Sequence, residues 1–226
     1  MNNIALILLG GSGTRLGSDI PKQFLLKDDM PIYLHTVKKY HDINLISHIL
    51  LVVNSLYVNE VKEEIKKYRF NKIIDVIPGG NKRYNSSYIG LEYLSYKFDY
   101  NDNVLIADAV RPNTSDIIIL ANIFALNEAK AVLTAVRGQN NGPRIDTAHY
   151  KAGVSLLAQT PQSFKLGYIY ELYKKYIFND DFDVTDDINV VELNHDPYDV
   201  VEGDESNYKI TTKEDYERFL KDKNRY

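Results

Sequence analysis

The stretch Ile4-Ala5-Leu6-Ile7-Leu8-Leu9-Gly10-Gly11-Ser12-Gly13-Thr14-Arg15-Leu16-Gly17 decides the architecture. Its unbroken apolar opening reads as a strand buried on both faces, as in a parallel sheet covered on each side. The glycines that end the run let backbone N–H groups approach a phosphate chain at the carboxyl end of the strand, where open α/β sheets bind ligands. A dinucleotide-binding loop counted from Gly11 needs glycine where the chain has Leu16. A P-loop counted from Gly10 needs Gly-Lys where it has Arg15-Leu16. The distinguishing feature is Arg15, a fixed cation in the turn, with Lys22 following in Pro21-Lys22-Gln23-Phe24. Two cations beside a glycine loop would neutralise a triphosphate and its leaving pyrophosphate. On these residues alone, a tight turn with solvated Arg and Lys stays open.

Outward from this segment, strand-length apolar runs alternate with segments of helical period. Helices are expected over Met30–Tyr40, Tyr57–Tyr68, Tyr84–Phe98 and Ser115–Asn127, and strands over Ile49–Val53, Ile73–Ile77, Val104–Ala107 and Ala131–Val136. The alternation predicts an α/β fold: a three-layer, doubly wound, mostly parallel sheet. It breaks at the polar, turn-rich stretch Arg137–Gly153, read as an arm protruding at about 138–153 from one domain that spans residues 1–226. Beyond it come a short strand (Val154–Ala158), two helices (Leu166–Phe178 and Thr185–Leu193), two short strands, one of them carrying Lys209, and a last helix opened by Thr211/Thr212.

Composition narrows the function. The 226 residues carry a net charge of −4 with no basic block, which argues against a nucleic-acid partner. No cysteine is present, so disulfides, thiolate metal sites and cysteine nucleophiles are excluded. The first residues lack a positive n-region, and no run approaches the ~18 apolar residues of a membrane span, so a cytoplasmic protein without membrane contact is expected. The five histidines have no metal-ligand spacing, and the acidic stretch at 180–187 lacks the alternating oxygens and central glycine of a calcium loop.

Further along, Gly79-Gly80 closes a strand, where the backbone can hydrogen-bond a ligand or simply make a strand-to-helix turn; Arg83 and Ser86 follow one helical turn apart. Asp108 closes another strand at its carboxyl end, where a carboxylate can meet magnesium carried by phosphates or, the commoner role of a lone Asp there, cap a helix or turn. Arg111 could pair with a substrate phosphate or tie Asp108 and the next loop by a salt bridge.

Taken in order, these motifs resemble those of the cytidylyltransferases of the methylerythritol-phosphate and ribitol-phosphate type. The resemblance runs through Gly10-Gly11-Ser12-Gly13-Thr14-Arg15, Pro21-Lys22-Gln23-Phe24, Gly79-Gly80-Asn81-Lys82-Arg83-Tyr84-Asn85-Ser86, Asp108-Ala109-Val110-Arg111-Pro112, Gln159-Thr160-Pro161-Gln162-Ser163-Phe164, Thr185-Asp186-Asp187, and Glu202-Gly203 with Asn207-Tyr208-Lys209-Ile210-Thr211. It implies transfer of CMP from CTP to a small phosphorylated acceptor, with release of pyrophosphate. Arg15, Lys22 and Lys209 would then be catalytic. CTP would lie against Leu8, Leu9, Gly10, Gly11, Ser12, Gly13 and Thr14, and against Gly79, Gly80, Asn81, Lys82, Arg83 and Ser86. The acceptor would meet Asp108, Arg111, Arg137, Arg144 and Thr160, and Asp108 would help place Mg2+. A homodimer with arms exchanged is implied as well.

The departures fall on the acceptor side. The arginine that methylerythritol-phosphate enzymes carry some residues before Thr-Pro-Gln is Ala152 here, with Lys151 adjacent. Asp146-Thr147 sits later than the family's Asp-Thr, and the family's His-Asp is Ala107-Asp108. These differences predict that methylerythritol phosphate is a poor acceptor and that a polyol phosphate, used for capsule or teichoic-acid polymers, is the better one. Arg137, Arg144 and Lys151 would then meet the acceptor phosphate.

Overall fold

In the computed structural model the described residues are 1–10, 20–138, 148–151, 154–179 and 181–222, with only the backbone described at 148–151 and 154. The chain runs β1 (Asn3–Leu9), β2 (Leu26–Lys27), β3 (Met30–Pro31), α1 (Ile32–Asp42), β4 (His48–Val53), α2 (Val58–Ile65), β5 (Ile73–Pro78), α3 (Arg83–Ser95) and β6 (Asn103–Asp108). It continues through α4 (Asp116–Ala125), β7 (Ala131–Arg137), β8 (Ala148–Lys151), β9 (Val154–Lys165), α5 (Leu166–Tyr176), α6 (Ile188–Leu193), β10 (Asp199–Glu202) and α7 (Lys213–Lys221). Eight strands form one sheet in the order β10-β7-β9-β6-β1-β4-β5, with β8 added against β9. β1 lies parallel between β4 and β6, pairing Leu8 with Val52 on one side and with Asp108 on the other. The chain therefore winds outward from β1 in both directions. Such a sheet opens a crevice at the carboxyl ends of these central strands.

Side chains along the central strands alternate between two cores. Ile4, Leu6, Leu8, Leu50, Val52, Val104 and Ile106 pack against α3, α5 and α6. Ala5, Ile7, Leu9, Ile49, Leu51, Val53 and Leu105 pack against α1, α2 and α4. Because both faces are covered, the strands read as continuous apolar runs. Ser115 caps α4, its side chain accepting from the Ile118 N–H at 3.3 Å, and Thr212 caps α7. No described helix is long and apolar enough to cross a membrane.

The structure departs from the sequence reading most clearly at four places. Helix α1 starts at Ile32 because Met30-Pro31 first pairs with β2 in a small hairpin. Its turn residues Asp28 and Asp29 have φ of 51° and 60°, a conformation Asp tolerates better than most. The strand expected to stop at Ala158 continues to Lys165 and lies antiparallel between β6 and β7. It thus carries Gln159-Thr160-Pro161-Gln162 into the sheet centre. The helix expected from Thr185 starts at Ile188. Of the two short strands expected near the end, β10 forms, but Lys209 lies in irregular chain: Ile210 N–H donates to Val110 O at 2.9 Å without starting a ladder. Of the arm, β8 and Gly138 are described, and the remainder lies outside the described residues.

Candidate active site

Two glycine turns meet at one serine. Gly10 follows β1, and Gly79-Gly80 follows β5, where Gly79 N–H donates to Val53 O at 2.7 Å. Ser86, buried in the first turn of α3, accepts from Gly80 N–H at 3.2 Å through its Oγ. A Cβ on Gly79 would come within 2.6 Å of that oxygen, and one on Gly10 within 3.6 Å. Backbone this close to a side chain leaves no room for a Cβ at Gly79. Leu8 and Leu9 end β1 almost wholly buried, so their contribution to the crevice is backbone. Gln23 donates from Nε2 to Leu9 O at 3.4 Å, which ties the Pro21-Lys22-Gln23-Phe24 turn to the end of β1 and sets half-buried Lys22 beside it. Gly11, Ser12, Gly13, Thr14 and Arg15 lie outside the described residues.

The chemistry concentrates on Asp108, the last residue of β6. Lys209 Nζ stands 3.0 Å from its Oδ2, Arg111 Nε 3.5 Å from the same oxygen, and Arg83 Nε 3.2 Å from Oδ1. Its backbone N–H donates to Thr160 Oγ1 at 3.1 Å. Burial alone would push the Asp108 carboxyl up, but Lys209, then Arg83 and Arg111, hold it far below the usual carboxylate range. Burial lowers Arg111, with Asp108 opposing. Arg83 is likewise desolvated, yet Asp187 and Asp108 together hold it above its ordinary value.

Of the two readings of Arg111, the structure displays the tie: besides Asp108, its Nη1 donates to Asn207 O at 2.6 Å. Arg83 and Ser86 do separate work. Ser86 turns to the glycines, whereas the Arg83 guanidinium runs to Asp108 and to Asp187 Oδ2 at 2.7 Å. Lys82 reaches Asp183 at 3.0 Å across the crevice, and exposure of both makes that pair worth little. Asn81 belongs to the same exposed turn. Arg137 is exposed at the end of β7, while Arg144 lies outside the described residues.

Asn207 is the organising residue that motif reading passed over. Wholly buried, it donates from Nδ2 to Gln159 Oε1 and Thr160 O, both at 3.0 Å, and accepts from Thr114 Oγ1 at 2.8 Å. These bonds place Lys209 two residues on. Gly203 belongs to the same device, since a Cβ there would stand 2.4 Å from Gln159 Oε1. Gly203→Ala should therefore cost about 1–3 kcal/mol of stability through overpacking. It should also loosen the Asn207–Lys209 segment. Chemical denaturation checks this, and an unchanged midpoint would show that Gln159 can give way.

Among the described residues no group of three His, Cys, Asp or Glu is arranged to hold a metal ion. Asp108 stands among three cations rather than other carboxylates, a donor set that does not fit a protein-held divalent ion. A cavity of about 870 Å3 between α1, α4 and α7 is lined by residues such as Lys38, Asp116, Arg218 and Phe219. It shares no residue with the Asp108 cluster or the glycine turns.

The chain is similar to known proteins along nearly its whole length. Residues 3–219 match the family model described as 2-C-methyl-D-erythritol 4-phosphate cytidylyltransferase. The chain is 38% identical over 217 residues to the protein of that name from Thermosipho melanesiensis, covering 94% of each chain. It is 34% identical over 221 residues to a ribitol-5-phosphate cytidylyltransferase from Lactiplantibacillus plantarum, covering 92% of each. Among solved structures, 4-diphosphocytidyl-2C-methyl-D-erythritol synthase from Anaerococcus prevotii superposes with a TM-score of 0.78 at 30% identity, over 97% of this chain and 94% of that one.

Proposed function

The chain belongs to the 2-C-methyl-D-erythritol 4-phosphate cytidylyltransferase family, and on that premise we propose that it transfers CMP from CTP to methylerythritol phosphate with release of pyrophosphate. The enzyme class, a CTP-dependent nucleotidyltransferase, goes with the family; the acceptor and the residue roles are this proposal's own. The observation that carries it is the Asp108 cluster, which places three cations at the carboxyl end of β6 beside the two glycine turns.

An acceptor phosphate oxygen attacks the α-phosphorus of CTP, a new P–O bond forms, and the bond to the β-phosphate oxygen breaks in line. The acceptor phosphate is already ionised near neutral pH, so no general base is needed. Positioning and charge neutralisation remain. Lys209, more than a third exposed, can turn from Asp108 to the reacting phosphates, while Arg111 and Arg83 stay with the carboxylate. Lys22 and Arg15 serve the triphosphate and its leaving group. Gly79, Gly80 and the Ser86 turn form the wall for the base. A divalent ion carried by the triphosphate would supply further charge neutralisation, and the residues around Asp108 are not arranged to hold one themselves. We place the enzyme in the cytoplasm as a homodimer.

A second reading rests on the arm: Ala152 stands where the family has arginine, and a ribitol-5-phosphate enzyme is similar over nearly the whole chain. The family model and the 38% identical relative favour methylerythritol phosphate over the polyol phosphate that the arm suggests. Residues 139–147, 152 and 153 lie outside the described residues, so the weight of Ala152 rests on sequence alone. Steady-state kcat/KM for the two acceptors at saturating CTP separates the readings. Methylerythritol phosphate should be used with the higher kcat/KM, and a clear preference for ribitol 5-phosphate would assign the enzyme to polyol activation and overturn the proposal.

A further inference from the structure

Asp187 is wholly buried, and its partners reach to the reaction centre. It faces Arg83 Nη1 at 2.7 Å and accepts from Tyr173 Oη at 2.7 Å. The next residue is held as well: Ile188 N–H donates to Gln162 Oε1 at 2.9 Å, on the strand that also bears Thr160. Five residues earlier, buried Phe182 packs edge-on against Tyr84 and Tyr173, with ring centroids 5.0 and 6.2 Å away. The segment following α5 is thus pinned on α3 from two sides. Arg83, the first residue of that helix, is stretched between Asp187 and Asp108.

We propose that Asp187 and Arg83 form a positioning pair, in which Asp187 fixes the Arg83 guanidinium and Arg83 fixes the Asp108 carboxylate that holds Lys209 in reach of the phosphates. This rests on the cytidylyl-transfer reading of the site. The planar guanidinium meets the two carboxylates through different nitrogens, Nε toward Asp108 and Nη1 toward Asp187, which the single nitrogen of an ammonium cannot do. The pairing also has a use during turnover. When an incoming phosphate draws Lys209 away, Asp108 keeps Arg83 at Oδ1 and Arg111 at Oδ2, so no uncompensated carboxylate faces the substrate. Arg83 is therefore assigned to the support of Asp108 rather than to contact with cytosine.

The test compares wild type with Asp187→Asn and Arg83→Lys, with folding monitored by thermal melting and CTP affinity by calorimetry. Loss of precise positioning at a distance costs about 10²-fold in rate. Both variants should lose turnover of about that order while CTP affinity stays near wild type. The double variant should be no worse than Arg83→Lys alone, because both changes break one connection. CTP affinity falling in step with turnover would make Arg83 a nucleotide contact and overturn the proposal, as would wild-type turnover in Asp187→Asn. A crystal structure of Asp187→Asn gives an answer independent of any reaction. Arg83 should leave Asp108 Oδ1 and Lys209 should shift with the carboxylate. An unchanged Arg83–Asp108–Lys209 arrangement overturns the pair. Absence of cytidylyl transfer by wild type would instead count against the function reading alone.

Discussion

Lys209→Ala should lower turnover by ~10²–10³ while leaving the fold intact, the loss typical for removing one preorganised donor to developing phosphate charge. Two observations set this expectation apart from a structural role. The Lys209 side chain is 37% exposed, so its removal opens no cavity, and Asp108 keeps Arg83 and Arg111 when it goes. The backbone that carries it is held independently by the Asn207 bonds to Gln159 and Thr160 and by Ile210 N–H to Val110 O. Steady-state pyrophosphate release together with a thermal melt checks both halves. Turnover within about threefold of wild type would remove Lys209 from the chemistry.

Asp108→Asn should be strongly destabilising. The carboxylate is 9% exposed and meets three cations, and taking it away leaves two near-buried guanidiniums and an ammonium facing one another. Breaking a buried pair by removing one partner costs about 3–5 kcal/mol. The pH behaviour follows from the direction of the shift. Against the effect of burial, Lys209, Arg83 and Arg111 depress the folded-state pKa of Asp108. A depressed acid contributes stability that is fully present above the unfolded pKa and is lost as pH falls toward the folded one. The contribution should thus be constant from pH 8 down to about pH 4, near the unfolded value, and decline only in more acid solution. Urea denaturation of both proteins across that range checks it. A difference that shrinks between pH 8 and pH 6 would mean that Asp108 is not the ionised centre of the cluster.

Much of the architecture was legible because buried parallel strands have a simple signature. Ile4–Leu9, Ile49–Val53 and Val104–Ala107 are continuous apolar runs, and each is paired on both sides and covered by helices on both faces. The strand β9 was legible only as far as Ala158. The residues that continue it are Gln159, Thr160, Gln162 and Ser163, all buried, and they are accommodated by side-chain hydrogen bonds rather than by apolar packing. A hydrophobicity pattern does not register strands of that kind. The reverse error placed Lys209 in a strand, since alternating Tyr208, Lys209, Ile210 has strand period but lacks a ladder partner.

At the site, strand ends and glycine turns could be read from spacing, because their roles are local. Of the partners of Asp108, Arg111, three residues on, could be read in the same way. The others could not: Arg83 lies 25 residues from it in sequence, and Lys209 is farther still. Helical spacing joined Arg83 to Ser86, whereas the long-range fold turned Arg83 toward two carboxylates. Asn207 stood within a quoted motif without a role, because a buried amide declares its work only through the atoms around it.

The most direct test of the whole account is pyrophosphate release by the wild-type protein supplied with methylerythritol phosphate and, separately, CTP, UTP, ATP or GTP. Release with CTP, dependence on the acceptor, and formation of a cytidine diphosphate-linked product are expected. No release with CTP, or equal release with all four nucleotides, would contradict it.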